Sequence, residues 1–324
     1  MTTMDEFELA RRVFGDPEED AQARERLRGR MLDAIVGEPV RIAARRRRRW
    51  RATVAALAAA LSLGLVATLV LPSANAAAAA ELRRLGQLSA SRGGPDIGPG
   101  QYVLTRSEEL RPEANTFLGS GVTFTVVSRL RISTWVAADG SGFRRTEVNS
   151  SDFASPEDRR AWEAAGRPDI LPAAGDVRTE TYAAEEAPWL DTSDLPLDPD
   201  RLLEALRSGA VAPRSPGDDQ VFLLIGDVLA LGDAPAGLRS ALFEVAARLD
   251  GARLVGTVDD PLARSGVAIY VDGANARTQL IFDPETAQLL AIEDFPILPD
   301  GSRGPLRSWI ALHATTVVDS PPPF

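Results

Sequence analysis

VTFTVVSRLRISTWVAA, residues Val122–Ala138, decides the fold. Phe124, Val126, Leu130, Ile132 and Val136 fall on one side of a two-residue period, with Ser128 and Thr134 among them. Arg129, Arg131 and Ser133 fall on the other side, joined by Trp135. Successive side chains of a strand point to opposite faces, so this pattern is a long strand with one face on a core. Asp139-Gly140-Ser141-Gly142 then makes a turn, and Phe143–Val148 returns as the hairpin partner.

Further strands lie outward in both directions. Gln101–Arg106 is a short one before the hairpin, and Asp176–Tyr182 another after it. Toward the C-terminus a meander is expected: Arg253–Val258, Gly266–Val271, Thr278–Phe282, Leu289–Asp294 and, as one last strand, Trp309–Val318. Asp283-Pro284-Glu285-Thr286 is a tight turn within it, because proline is pre-set for the second turn position.

Helices separate these two groups. Ser155–Ala165 opens with an N-cap serine, a proline at the first helical position and acids in the first turn. Asp198–Ser208 repeats that logic, with Leu202, Leu203 and Leu206 on one side. Val221–Leu231 reads as wholly or partly helical, and Pro235–Leu249 as a helix with Leu238, Leu242, Val245 and Leu249 on one face. Strands, then helices, then strands imply an α+β fold: a mostly antiparallel sheet with helices inserted between its halves and covering one face.

The N-terminal part is of another kind. Ala52–Leu71 is 20 residues long and uncharged, broken only by Thr53, Ser62, Gly64 and Thr68. As a helix it would be roughly 30 Å long, the thickness of a bilayer's hydrocarbon core. Its six leucines and three valines contribute roughly −3 to −5 kcal/mol to insertion. Arg45, Arg46, Arg47, Arg48, Arg49 and Arg51 precede it, with Trp50 among them as an interfacial anchor, and Pro72 ends it. Positive flanks stay inside, so this is a transmembrane helix with the N-terminus cytoplasmic and the sheet domain extracytoplasmic. The rival reading is a secretory signal cleaved at Ala74-Asn75-Ala76, although the run is long for a signal and starts far into the chain.

The expected organisation is therefore a cytoplasmic helical segment (1–51), the transmembrane helix (52–71), a stalk helix and linker (72–100), the α+β domain (101–319) and a tail (320–324). Within residues 72–100, Ala76–Leu88 is either a stalk or the first helix of the outer domain. In the cytoplasmic segment Leu27, Met31 and Ile35 recur at helical spacing and form one apolar stripe. A segment this short makes no core of its own. The stripe would cover a partner protein or lie on the membrane, the alternative being a solvated helix with no partner.

Charge follows the same division. Residues 1–51 carry 13 arginines and 10 acids, and residues 52–324 carry 23 and 36, giving −10 overall. An acidic outer domain argues against nucleic acid, and the arginine block suits anionic headgroups. The chain has no lysine and no cysteine, which excludes disulfides and thiolate metal sites.

No pattern in the chain carries a chemistry. His313 is the only histidine, expected as an ordinary residue of the last strand, so a zinc site has too few ligands. Asp218-Asp219, Asp259-Asp260 and Glu185-Glu186 lack the spacing of a calcium loop. Nucleophile-elbow, phosphate-loop and dinucleotide patterns are absent, and no cofactor or enzymatic activity is expected.

Several segments together resemble an uncharacterised actinobacterial family of single-pass membrane proteins. They are Met4-Asp5-Glu6-Phe7-Glu8-Leu9 with Arg11-Arg12, the arginine block before an Ala/Leu-rich span, and Ala76–Leu82. Leu195-Pro196 leading to Pro199-Asp200-Arg201-Leu202-Leu203 follows, then Gly266-Val267-Ala268 and Ile281-Phe282-Asp283-Pro284-Glu285-Thr286. Genes of that family often sit beside those of extracytoplasmic-function sigma factors. The resemblance implies a curved half-barrel like that of LolA-type carriers and RseB-type regulators, with no catalytic residues. Two functions follow as expectations. One is an envelope sensor or regulator whose inner stripe binds a protein such as a sigma factor; the other is a lipid or lipoprotein carrier, which needs an apolar cavity.

Overall fold

The computed structural model describes residues 74–95, 97–117, 121–169, 171–187, 192, 195–208 and 217–320. The chain divides into the units Met1–Pro72 and Ser73–Phe324, and only the second contains described residues. The expected span 52–71, the stripe Leu27, Met31 and Ile35, and the block Arg45–Arg51 with Trp50 lie outside them. No helix among the described residues is long and apolar enough to cross a membrane.

The fold is α+β, a large curved antiparallel sheet with five α-helices among the described residues. The helices are α1 (Ala74–Ser91), α2 (Pro156–Ala164), α3 (Pro199–Arg207), α4 (Asp218–Leu231) and α5 (Ala236–Ala247). The strands are β1 (Tyr102–Phe117), β2 (Val122–Ala137), β3 (Gly142–Phe153), β4 (Val177–Tyr182) and β5 (Arg253–Asp259). The meander continues through β6 (Ser265–Asp272), β7 (Ala276–Phe282), β8 (Leu289–Pro296), β9 (Ser308–Leu312) and β10 (Thr316–Val318). Their order across the sheet is β4-β3-β2-β1-β9-β8-β7-β6-β5, with β10 also on β1. The C-terminal meander thus closes onto the N-terminal hairpins at β1, through pairs such as Glu109 with Ile310.

Local chemistry explains the helices. Ser155 caps α2, its Oγ accepting from the Asp158 N–H at 3.1 Å, with Pro156 and two acids in the first turn. Asp158 in turn accepts from the Thr125 N–H at 2.8 Å and fastens α2 to β2. Asp198 caps α3 by accepting from the Arg201 N–H. Ser155→Ala removes the cap and loosens the grip on β2. It is expected to cost about 1–2 kcal/mol in denaturant unfolding, and no change in midpoint would count against the cap.

The core lies between the helices and the β5–β9 half of the sheet. Leu82 and Leu85 of α1, Leu202 and Leu206 of α3, Phe222 and Ile225 of α4, and Leu238 and Leu242 of α5 are buried there. From the sheet come Ile269, Val271, Leu280, Phe282 and Ile292. Helix α1 is therefore the first helix of the domain, not a free stalk, and Ala74-Asn75-Ala76 forms its opening turn. Gly226 lets α4 approach the sheet closely: a Cβ there would lie 2.8 Å from Leu280 Cδ2.

Two expected strands differ in the structure. The first strand does not stop at Arg106; it runs to Phe117 and pairs with β2 throughout. Its middle, Glu108–Pro112, is charged and carries a proline, which hid it in the sequence. Beyond Leu110 the strand has left β9, so Pro112 stands where β1 keeps only β2 as a partner, a position that tolerates proline. The last strand is two, β9 and β10, split at His313–Thr315. Ser107 pairs with Leu312 and Leu104 with Thr316, so three residues oppose Thr105 and Arg106. The C-terminal turn of α4 fills the space beside this bulge. Thr105 Oγ1 donates to the Leu231 carbonyl at 2.8 Å, and a Cβ on Gly232, which has φ 76°, would lie 2.3 Å from Thr315 Oγ1.

Candidate functional site

The helices fill one half of the sheet and leave the other half less covered. On the β1–β3 half, beside α4, a groove of about 470 Å³ remains. Strand alternation builds its floor. Thr105, Ser107, Glu109 and Arg111 are every second residue of β1, and Ile132, Thr134 and Val136 do the same on β2. Arg144 of β3 joins them, and α4 forms the wall with Leu224, Asp227 and Leu231. These three lie on one side of the helix, because residues three and four apart are neighbours. The groove leads into a second hollow of about 370 Å³, which shares Arg111, Ile132 and Arg144 and adds Leu130 and Val148.

The lining is mixed. Leu130, Ile132 and Val148 form a small apolar cluster on the floor. Glu109 is buried at 6% exposure and accepts from Ser107 Oγ at 2.9 Å and from Arg111 at 2.5 Å. The Nε of Arg144 is buried without a hydrogen-bond partner. Asp227 has no hydrogen bond or ion pair to a described residue, and it is open to water in the groove. Protein still crowds it on several sides. That partial loss of solvent disfavours the charged form and pushes its pKa from 3.8 up to about 6.

A raised carboxyl pKa means that the folded state holds a proton longer than the unfolded chain. Asp227 then contributes stability that is present below pH 4 and is lost as pH rises through about 6. Complete desolvation would correspond to about 3 kcal/mol. Water in the open groove screens the charge, and about 1 kcal/mol is expected. Asp227→Asn should unfold at a higher temperature than the parent at pH 7.5 and at nearly the same temperature at pH 4. Parallel curves from pH 4 to 8 would contradict this placement of Asp227.

The sequence placed Ile132, Thr134 and Val136 on the inward side of their strand but gave no residue of this groove a functional role. The expected partner stripe and interfacial arginines lie outside the described residues. His313, expected within a strand, sits in the bulge between β9 and β10, 3.8 Å from Glu108. One signal was available: Asp227 is a lone acid inside the otherwise apolar Val221–Leu231. Glu109, Arg111 and Arg144 carry no such mark, since charge at alternate strand positions ordinarily means a solvated face.

The fold and groove define a class in structural terms only, an antiparallel sheet half filled by helices and half open. No family model matches the chain, and no curated protein matches it. Among solved structures it is similar to the MucA/MucB complex of Pseudomonas aeruginosa, at 14% identity and a TM-score of 0.26, over 76% of this chain and 59% of that one. It is also similar to a DUF1329 family protein from Desulfovibrio piger, at 10% identity and a TM-score of 0.20, over 74% of this chain and 91% of that one. The chain thus spans about three fifths of the first neighbour's length. Both are distant structural neighbours, and the overlap says nothing about residues or ligands.

Proposed function

We propose that this chain is a membrane-anchored envelope sensor. Its sheet domain lies outside the membrane and receives a ligand in the β1–β3 groove. Its cytoplasmic segment, through Leu27, Met31 and Ile35, engages a regulatory protein such as an extracytoplasmic-function sigma factor. The observation that carries this reading is the groove itself. A domain that only anchored or spaced would gain by packing both halves of its sheet, yet here Arg144 Nε is buried unpaired and a water-exposed carboxylate, Asp227, stands in the same open groove. A buried donor left unpaired beside an open groove suits a site completed by a ligand. The arginine block and apolar run supply the anchor and its orientation.

The test uses the full-length chain in cells, with a photoreactive residue at position 31. A crosslink to a sigma factor, abolished by Leu27→Asp with Ile35→Asp, is the expected result. No adduct, or one indifferent to those changes, would overturn the inner half of the reading. Protease treatment of intact cells should remove the sheet domain and spare the first 51 residues.

The second reading, a lipid or lipoprotein carrier, draws on the apolar cluster Leu130, Ile132 and Val148. Against a purely alkyl ligand stand Glu109, Arg111, Arg144 and Asp227, interleaved with that cluster. Solvent extraction and mass spectrometry of the purified chain separate the two readings. A stoichiometric lipid that disappears in Ile132→Glu would favour the carrier.

A further inference from the structure

A second cavity, of about 380 Å³, lies on the other side of the α4 C-terminal turn. Its walls come from the end of α1, the β7–β8 turn, the first turn of α5 and the β9–β10 bulge. Arg92, Arg239 and His313 all line it, and no aspartate or glutamate does; Glu108, outside the lining, lies 3.8 Å from His313 and leaves the two arginines as the cavity's positive charge. In a chain with a net charge of −10 this runs against the general balance. Ser89, Thr286, Thr315 and Thr316 add hydroxyl donors around the same space.

The two guanidinium groups lack charged partners. Arg239 is half-buried, and its hydrogen bonds go to uncharged oxygens: Ser89 Oγ at 2.9 Å, the Ala234 carbonyl at 2.6 Å, the Arg92 carbonyl at 2.7 Å and, more weakly, the Ser89 and Gly93 carbonyls at 3.3 Å, so its fork is largely occupied and it offers charge more than free donors. Arg92 makes one side-chain hydrogen bond, to the Glu285 carbonyl at 3.2 Å, and most of its donor fork remains available. Neither is in an ion pair with a described residue. Burial also lowers the pKa of Arg239, which marks a cation in a poorly solvated place. Carbonyls at the C-terminal end of α1 solvate Arg239 but carry only partial charge, so an anion in the cavity would add the full counter-charge that the described residues do not supply.

We propose that this cavity binds an oxyanion of the phosphate class, with Arg92 as the principal donor, Arg239 supplying fixed positive charge and His313 at the rim. The groove on β1–β3 has a different character, with Glu109 and Asp227 among its lining residues. The two sites share Thr105, Ala230 and Leu312 in their walls, but this proposal does not depend on the sensor reading.

His313 is the only histidine in the chain, so its ring gives a single, assigned NMR signal from the cavity rim. Full-length protein with labelled histidine, in a neutral detergent, is titrated with inorganic phosphate at constant ionic strength and pH. A saturable shift of that signal is expected, absent with chloride, at least about tenfold weaker in Arg92→Gln and largely restored in Arg92→Lys. A parallel arm uses short-chain phosphatidylglycerol, with phosphatidylcholine of the same chain length as control. Response to inorganic phosphate identifies a free anion as sufficient; response to phosphatidylglycerol alone identifies a lipid headgroup as the source. No saturable shift in either arm, an equal response to phosphatidylcholine, or an unchanged response in Arg92→Gln would overturn the proposal. Because Arg92 is exposed, its replacement leaves the core intact. The readout is also independent of any sigma-factor crosslink.

Discussion

Phe282→Ala is expected to destabilise the sheet domain by about 3–5 kcal/mol and to lower its melting temperature by roughly 10 °C. Phe282 is 1% exposed on β7, and its ring centre lies 5.3 Å from that of Phe243 on α5, tilted by 56°. The pair joins the helical layer to the β5–β9 half of the sheet. Truncation removes transfer free energy and leaves a cavity that helices held on both sides cannot collapse into. Calorimetry on the full chain measures the loss. Val255→Ala, at a site 46% exposed, serves as a control expected to stay within about 0.5 kcal/mol. A loss below about 1 kcal/mol at Phe282 would mean that this half of the sheet is not packed as described.

Asp260→Ala comes next in expected effect, about 3–5 kcal/mol, for an electrostatic reason. The Asp260 side chain is fully buried in the β5–β6 turn. Its carboxylate accepts from the Leu262 N–H at 2.9 Å, the Arg264 N–H at 2.8 Å and the Arg264 Nε–H at 2.8 Å. Arg264 then reaches across to the Leu312 and Leu290 carbonyls at 2.7 and 3.0 Å. The register of β8 shifts at Leu290, leaving it without a ladder partner, and the arginine fills that role. Removing the carboxylate leaves two N–H groups unsatisfied and a guanidinium without its counter-charge, held only by the two carbonyls. Asp260→Ala combined with Arg264→Leu should lose less than the sum of the single changes, because the second change removes the stranded charge. Additive losses would show that the two residues act separately.

Much of this architecture was legible in the chain. Val122–Ala137 alternates in sequence and is buried alternately over Val126–Ile132, with Thr125 and Trp135 buried on the opposite face as well, and Ser155 and Asp198 announce α2 and α3 by their capping chemistry. The misread segments are those where a local signal and a tertiary partner disagree. Glu108-Glu109-Leu110-Arg111-Pro112 looks unlike a strand, yet β2 on one side and β9 along Glu108–Leu110 draw it into one. His313–Thr315 looks like strand and is a bulge, because the α4 C-terminal turn with Gly232 occupies the adjacent space. Neither cause is local, so neither leaves a periodicity to detect.

The amino-acid sequence by itself determined the order of elements, the α+β class and the Arg-flanked apolar run, since periodicity, capping residues and charge are properties of neighbours in the chain. Only the tertiary structure decided where the sheet is filled and where it stays open. It brought Asp227 of α4 over Glu109 and Arg144 on separate strands, and it placed Arg92, Arg239 and His313 around one acid-free cavity. Those groupings join residues up to 221 positions apart, as between Arg92 and His313. Such distances are set by strand register and helix packing, which no short stretch of sequence contains.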